Sequence, residues 1–195
     1  MNKGFTIVEV LVSTAIFVLV VILIFSIYFA SQKFYQKSEL EAELLQNGRV
    51  VLERITREVR QAQETVTALP QTLDNPAREI EFQDGHTPSP YAYLQSDYYY
   101  IRYYIATSTR EIHRQYKVYC FDDCASCSEF FRWNDNKMEG GVPVYVHFCL
   151  LEDKVIGEYA NQFEFWGSGV VNISLTLSKL QEQLNFTTSV FGRNL

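Results

Sequence analysis

Four cysteines, three scattered histidines and one glutamate at the head of an apolar stretch are the residues of this 195-residue chain whose types could carry chemistry. The cysteines lie in the second half, as Cys120-x3-Cys124-x2-Cys127 with Cys149 further on. Thiolates at tetrahedral spacing suit Zn2+, and Cys124-x2-Cys127 has the short spacing of a zinc knuckle. A second matching pair is missing, so two disulfides are the plainer reading, and four cysteines allow three pairings. A bridge from the 120–127 loop to Cys149 would staple two strands, or a strand and a loop, and each bridge typically adds about 2–4 kcal/mol. A redox role for the Cys-x-x-Cys pair would call for a thioredoxin-like βαβ pattern, and none surrounds it.

The histidines, His86, His113 and His147, stand apart, and no Ser, Cys or Asp constellation forms around any of them. No catalytic site is expected, and neither a metal nor a cofactor. The tract from Trp133 to Gly141 offers oxygen ligands, but its spacing departs from an EF-hand loop, and a solvated turn is the expectation. Asn172-Ile173-Ser174 and Asn185-Phe186-Thr187 match the N-glycosylation pattern, which is common by chance.

These residues need elements to hold them. From Val10 to Gln32 the chain carries no charge, long enough to span a bilayer, which takes about 20 apolar residues. A secretory signal peptide has a shorter apolar region ended by a small-residue cleavage site. Glu9 breaks the pattern. A carboxylate at the start of a membrane helix costs several kcal/mol unless paired, so a partner is expected. The nearest candidate is the amine created at Phe5 if the chain is cut after Gly4, since Phe5 and Glu9 share a helix face. Lys3 precedes the run while Lys33, Lys37 and Arg49 follow it, so the positive-inside rule does not favour a cytoplasmic N-terminus. The formal net charge of −6 argues against a nucleic-acid partner, because phosphate binding needs a basic footprint.

Behind the apolar run, Leu40, Leu44, Gly48, Val51, Ile55, Val59 and Ala62 recur every three or four residues, one stripe of an amphipathic helix. Glu53 and Arg57 sit four apart on the polar face, in the favourable order. One helix from about Thr6 to about Glu64 is predicted, on the order of 90 Å long. A loop with Pro70 and Pro76 follows, then strands near 78–83, 98–106, 111–119, 142–150, 162–166, 170–177 and 186–191, with turns at Asp84-Gly85, Gly140-Gly141 and Gly167-Ser168-Gly169. In 170–177, Val171, Ile173, Leu175 and Leu177 alternate with polar residues, as a half-buried strand does. One long helix followed by runs of strands gives an α+β fold with the helix on one face of an antiparallel sheet.

Met1-Asn2-Lys3-Gly4 followed by Phe5-Thr6-Ile7-Val8-Glu9 resembles the leader of type IV pilins and pseudopilins. Two softer matches accompany it. The Arg-rich helix end from Gln46 to Ala62 and the terminal Thr187-Thr188-Ser189-Val190-Phe191-Gly192-Arg193-Asn194 are similar to those of J-type minor pseudopilins and W-type minor pilins. The resemblance implies cleavage after Gly4 by a membrane-embedded prepilin peptidase and N-methylation of Phe5. It implies that Glu9 pairs with the terminal amine of a neighbouring subunit during assembly. The organisation it implies is a leader at 1–4, a transmembrane half-helix at 5–32, an amphipathic half at 33–64 and a globular β domain at 65–195. The partners it implies are other pilin or pseudopilin subunits, an inner-membrane assembly platform and membrane lipid. The expected location is a single pass of the inner membrane before assembly and a periplasmic or extracellular filament after it. An anchored extracellular binding module that never polymerises is the alternative, and type IV pilus, type II secretion and competence systems stay open.

Overall fold

The computed structural model describes residues 6–86 and 90–192. The fold is α+β, with one long helix packed on antiparallel sheet. Helix α1 spans Ile7–Gln61, and the chain divides into two compact units, one up to Glu43 and one from Leu44 onward.

The first unit is helix alone. Among its described residues nothing covers the apolar side chains: Leu19, Ile22, Leu23 and Phe25 are each more than half exposed. A soluble core helix buries one stripe, and this one buries none, so its length and composition are those of a single-pass membrane anchor.

In the second unit the helix buries the predicted stripe. Leu44, Gly48, Val51, Ile55 and Val59 are buried, and Ala62 follows just past the helix end. Nine strands lie among the described residues: β1 Glu79–Gln83, β2 Tyr100–Ala106, β3 Glu111–Cys120, β4 Asn136–Glu139, β5 Val142–Tyr145, β6 His147–Gly157, β7 Ala160–Trp166, β8 Val170–Lys179 and β9 Glu182–Phe191, with a short 3-10 helix at Tyr91–Leu94. They form a four-stranded sheet in the order β1-β2-β3-β6, a three-stranded sheet β7-β8-β9, and a separate β4-β5 hairpin, antiparallel throughout. The core joins the helix stripe to Ile80, Phe82, Ile101, Phe163, Phe165, Ile173 and Leu175. Two glycines mark where backbones approach closely. A Cβ at Gly48 would lie 2.5 Å from the Phe186 ring, and one at Gly157 would lie 2.6 Å from Val51 Cγ2.

Several expectations need correction. The helix stops at Gln61 because the chain turns to pair with β1: Gln63 N donates to Gln83 O, and Val66 N to Glu81 O. The loop predicted from 65 therefore begins as cover for the β1 edge, with Thr65 bridged to Phe82. The strand predicted at 142–150 is broken at Val146 into β5 and β6, and β6 runs on to Gly157. The Trp133–Gly141 tract is not a solvated turn throughout. It contains β4, flanked by a turn at Trp133-Asn134 and by Gly140-Gly141, both at positive φ. The Glu53–Arg57 pair does not form among the described residues; Arg54 and Glu58, one step around the helix, pair instead at 3.5 Å.

Candidate functional site

Gly4 and Phe5, the predicted cleavage and methylation residues, lie outside the described residues. Glu9 lies inside them, and its carboxylate has a partner within its own chain. Thr6 N donates to Glu9 Oε2 at 3.0 Å, and Thr6 Oγ1 donates to the same oxygen at 2.9 Å. In return Glu9 N donates to Thr6 Oγ1 at 3.3 Å. This is a reciprocal capping box, which satisfies backbone donors that the first turn of any helix leaves open. Its Thr-x-x-Glu signature is legible in the sequence.

The four cysteines are brought together in two bridges, Cys120–Cys127 and Cys124–Cys149. The strands explain the pairing. Cys120 ends β3 opposite His147, and Cys149 sits two residues further along β6, opposite Val118. The loop after β3 folds back so that Cys127 reaches Cys120 and Cys124 reaches Cys149. Cys124, His147 and Cys149 hold donor atoms within 4.8 Å of one another. The two sulfurs are bonded together, so neither is a thiolate that could bind a metal.

The ionisable groups that enter the core are all tied to one another. Arg114 lies on the core-facing side of β3, and its Nε donates to both oxygens of Glu58 at 3.0–3.1 Å. Tyr103 donates to Glu58 from β2. Burial works against the Arg114 charge, but Glu58 outweighs it and raises the guanidinium above its ordinary value. Glu58 thereby fixes the rotation of the helix on the sheet. Helical periodicity gives no sign of this pairing, because a charge paired across two elements leaves no periodic signal.

His113 comes nearest to a catalytic arrangement. Its Nδ1 lies 2.7 Å from Asp153 Oδ1 and its Nε2 lies 3.6 Å from Glu111. Partial burial opposes ionisation of Asp153, but hydrogen bonds from Gln115, His113 and Tyr104 outweigh it and hold the carboxyl below the usual range. A general base needs one ring nitrogen aimed at a nucleophile, and here both nitrogens face carboxylates. A cleft of about 400 Å3 between β1, β2 and β7 is lined by Arg78, Glu79, Arg102, Tyr104 and Glu164. Arg102 there is engaged by Glu79. A polar cleft of about 290 Å3 holds Asp84, His86 and Ser96. Burial raises the Asp84 carboxyl against the hydrogen bond from Tyr116, and the Ser96 hydroxyl is occupied by the Tyr98 backbone.

No family model, curated protein or solved structure matches the chain.

Proposed function

We propose that the chain is a minor subunit of a type IV pilus or type II secretion-type filament, anchored, trimmed after Gly4 and assembled through α1. Its role is structural, and it catalyses nothing. Its partners are the prepilin peptidase, other filament subunits, the assembly platform and membrane lipid. It passes once through the inner membrane before assembly and lies in the fibre afterwards. One observation carries the reading: a single uninterrupted helix supplies both the uncovered apolar segment and the buried stripe of the folded unit. A tether for an independent module needs no such continuity; a subunit that packs helix against helix does. The leader-like pattern from Met1 to Glu9 adds the processing step.

The Thr6–Glu9 capping box favours a second reading, an anchored binding module that never polymerises, because it gives Glu9 a purpose without a neighbouring amine. One substitution separates the readings. Glu9→Gln keeps a side chain able to cap the helix and removes only the charge. Assembly through an ionic partner predicts loss of the chain from sheared fibres with the membrane anchor retained; the anchored module predicts no change. The direct test is the intact mass of the chain from membranes and sheared fibres. A chain beginning at methylated Phe5 supports the proposal, and one that still carries Met1 to Gly4 overturns it.

A further inference from the structure

The segment from Phe121 to Val146 contributes no fully buried apolar residue to the core, though Cys127 and Phe130 lean against it, and it carries the β4-β5 hairpin. Three of its large apolar side chains point outward: Met138 is 67%, Val142 63% and Tyr145 66% exposed. The arm is nonetheless firmly held. The Cys124–Cys149 bridge fixes its base. Trp133 Nε1 donates to Glu64 at 2.9 Å, and Arg132 pairs with the same carboxylate. Lys137 lies 4.9 Å from the Phe121 ring centre. Apolar and aromatic groups presented to water on a rigid support are the composition of an interface core.

The arm is also acidic. It carries Asp122, Asp123, Glu129, Asp135 and Glu139 against Arg132 and Lys137. Both cations are used internally, Arg132 by Glu64 and Lys137 by Glu139 at 2.7 Å. Asp122 and Glu129 face solvent without an ion pair among the described residues.

The solvent side of α1 within the same folded unit has the opposite character. Leu45 and Val50 are 52% and 54% exposed. Arg49, Arg57 and Arg60 are exposed beside them, with Glu53 as the intervening carboxylate. Their spacing of three, four and eight residues keeps them on one face. None of the three guanidiniums has an ion-pair partner among the described residues, whereas Arg54, one step around, is held by Glu58. One chain therefore displays an arm with unpaired carboxylates at Asp122 and Glu129 and a helix face with three unpaired guanidiniums among the described residues.

We infer that the arm of one copy docks head to tail on the basic helix face of a second copy. The inference rests on the filament reading and names the surfaces through which folded units would meet outside the membrane. The contact is heterologous: each docked pair leaves one arm and one helix face free, so it propagates instead of closing into a two-fold dimer. Tyr145 and Met138 supply the desolvated centre. The carboxylates and guanidiniums around them set orientation and speed encounter.

The test uses the full chain in neutral detergent micelles and two variants, Tyr145→Asp in the arm and Arg57→Glu/Arg60→Glu on the helix. Analytical ultracentrifugation of the wild type is expected to show oligomers that grow with concentration and shrink with added salt. Each variant alone is expected to associate at least tenfold more weakly, with an unchanged circular dichroism spectrum. An equimolar mixture of the two is expected to give dimers and stop there, because one variant keeps a working face and the other a working arm. A wild type that stays monomeric, variants that associate like the wild type, or a mixture that stays monomeric each overturns the docking. Binding of the wild type to anionic but not neutral vesicles, without self-association, would assign the arginine face to lipid and overturn it as well. If Phe5 is found methylated in fibres that take up both variants normally, the docking fails while the filament reading stands. If processing fails but the variants lose self-association, the reverse holds.

Discussion

Lys117 and Glu81 meet across β2, with Nζ 2.7 Å from Oε2 and neither residue more than 8% exposed. Tyr119 donates to the other carboxylate oxygen at 2.6 Å, and the ammonium lies 5.0 Å from the Phe148 ring centre. Burial holds Lys117 below the ordinary lysine range, against the pull of Glu81. Removing one member of a buried pair leaves the other charge uncompensated, so Lys117→Met is expected to cost about 3–5 kcal/mol. Adding Glu81→Gln keeps an acceptor for Tyr119 and removes the orphan charge, and is expected to recover most of that loss. Denaturant titration of the full chain in detergent checks both. A double variant no more stable than the single one would show that packing, and not charge, was lost.

The buried tyrosines predict steep alkaline unfolding. Burial raises Tyr103 and Tyr116, helped by Glu58 and Asp84 respectively, and pushes Tyr100 up to about 12. An acid whose folded pKa is raised contributes stability that is complete below its unfolded value, about 10 for tyrosine, and is lost as pH climbs toward the folded value. Lys117 acts in the opposite sense: its folded pKa is depressed, so its contribution grows with pH until the unfolded value of about 10.4 and is flat beyond. Above that point the buried tyrosines, Tyr119 with these three, carry the loss, each removing about 1.4 kcal/mol per pH unit until its own folded value is reached. Tyrosinate absorbance and circular dichroism, followed upward in pH, are expected to change together in one cooperative step. Gradual ionisation with the fold intact would contradict the burial argument.

Much of this arrangement was legible because it is periodic. Leu44, Val51, Ile55 and Val59 recur at helical spacing, and Val171, Ile173, Leu175 and Leu177 alternate, so burial on one face follows from spacing alone. What lacked a period was misread. Strand β4, Asn136-Lys137-Met138-Glu139, has no β-branched residue and exists through its pairing with β5. The far half of β6 was masked by Glu152, Asp153 and Lys154, whose charges sit at a sheet edge and suit solvent. Arg114 faces inward from β3, and its partner Glu58 comes from 56 residues earlier in the chain. Such a pairing is a tertiary event that local pattern does not encode. At the N-terminus Thr6 and Glu9 have capping-box spacing, so this hydrogen-bonded partner of Glu9 is legible in the sequence beside the ionic one.

The staple at Cys124–Cys149 closes a sequence separation of 25 residues that contains the arm. Replacing both by alanine is expected to lower stability by about 2–4 kcal/mol. The effect should concentrate on the arm, because Cys124 fixes its base to β6. Limited proteolysis of the variant is expected to cut within 121–146 first, at a rate the wild type reaches only under reducing conditions. Cleavage that begins in α1 or β8 would show that the bridge supports the whole sheet. The unmodified protein should take up no thiol-alkylating reagent until it is reduced, since all four cysteines are paired.

Gly48 and Phe186 test how closely helix and sheet approach. A Cβ at position 48 would fall 2.5 Å from Cε2 and Cζ of Phe186, well inside contact distance. Alanine gains about 0.5–1 kcal/mol over glycine inside a helix, but overpacking a core costs about 1–3 kcal/mol. Gly48→Ala is therefore expected to destabilise the folded unit by about 1 kcal/mol net, even though it raises helix propensity. Phe186→Leu alone leaves a gap over the glycine and should also destabilise. Combined, the new methyl fills the space the ring vacated, and the double variant should be more stable than the sum of the single losses by at least about 1 kcal/mol, as touching residues couple. Thermal unfolding of the four proteins under one detergent condition closes the cycle. Strict additivity would mean that the ring swings clear of the helix and that something other than Phe186 demands glycine at position 48.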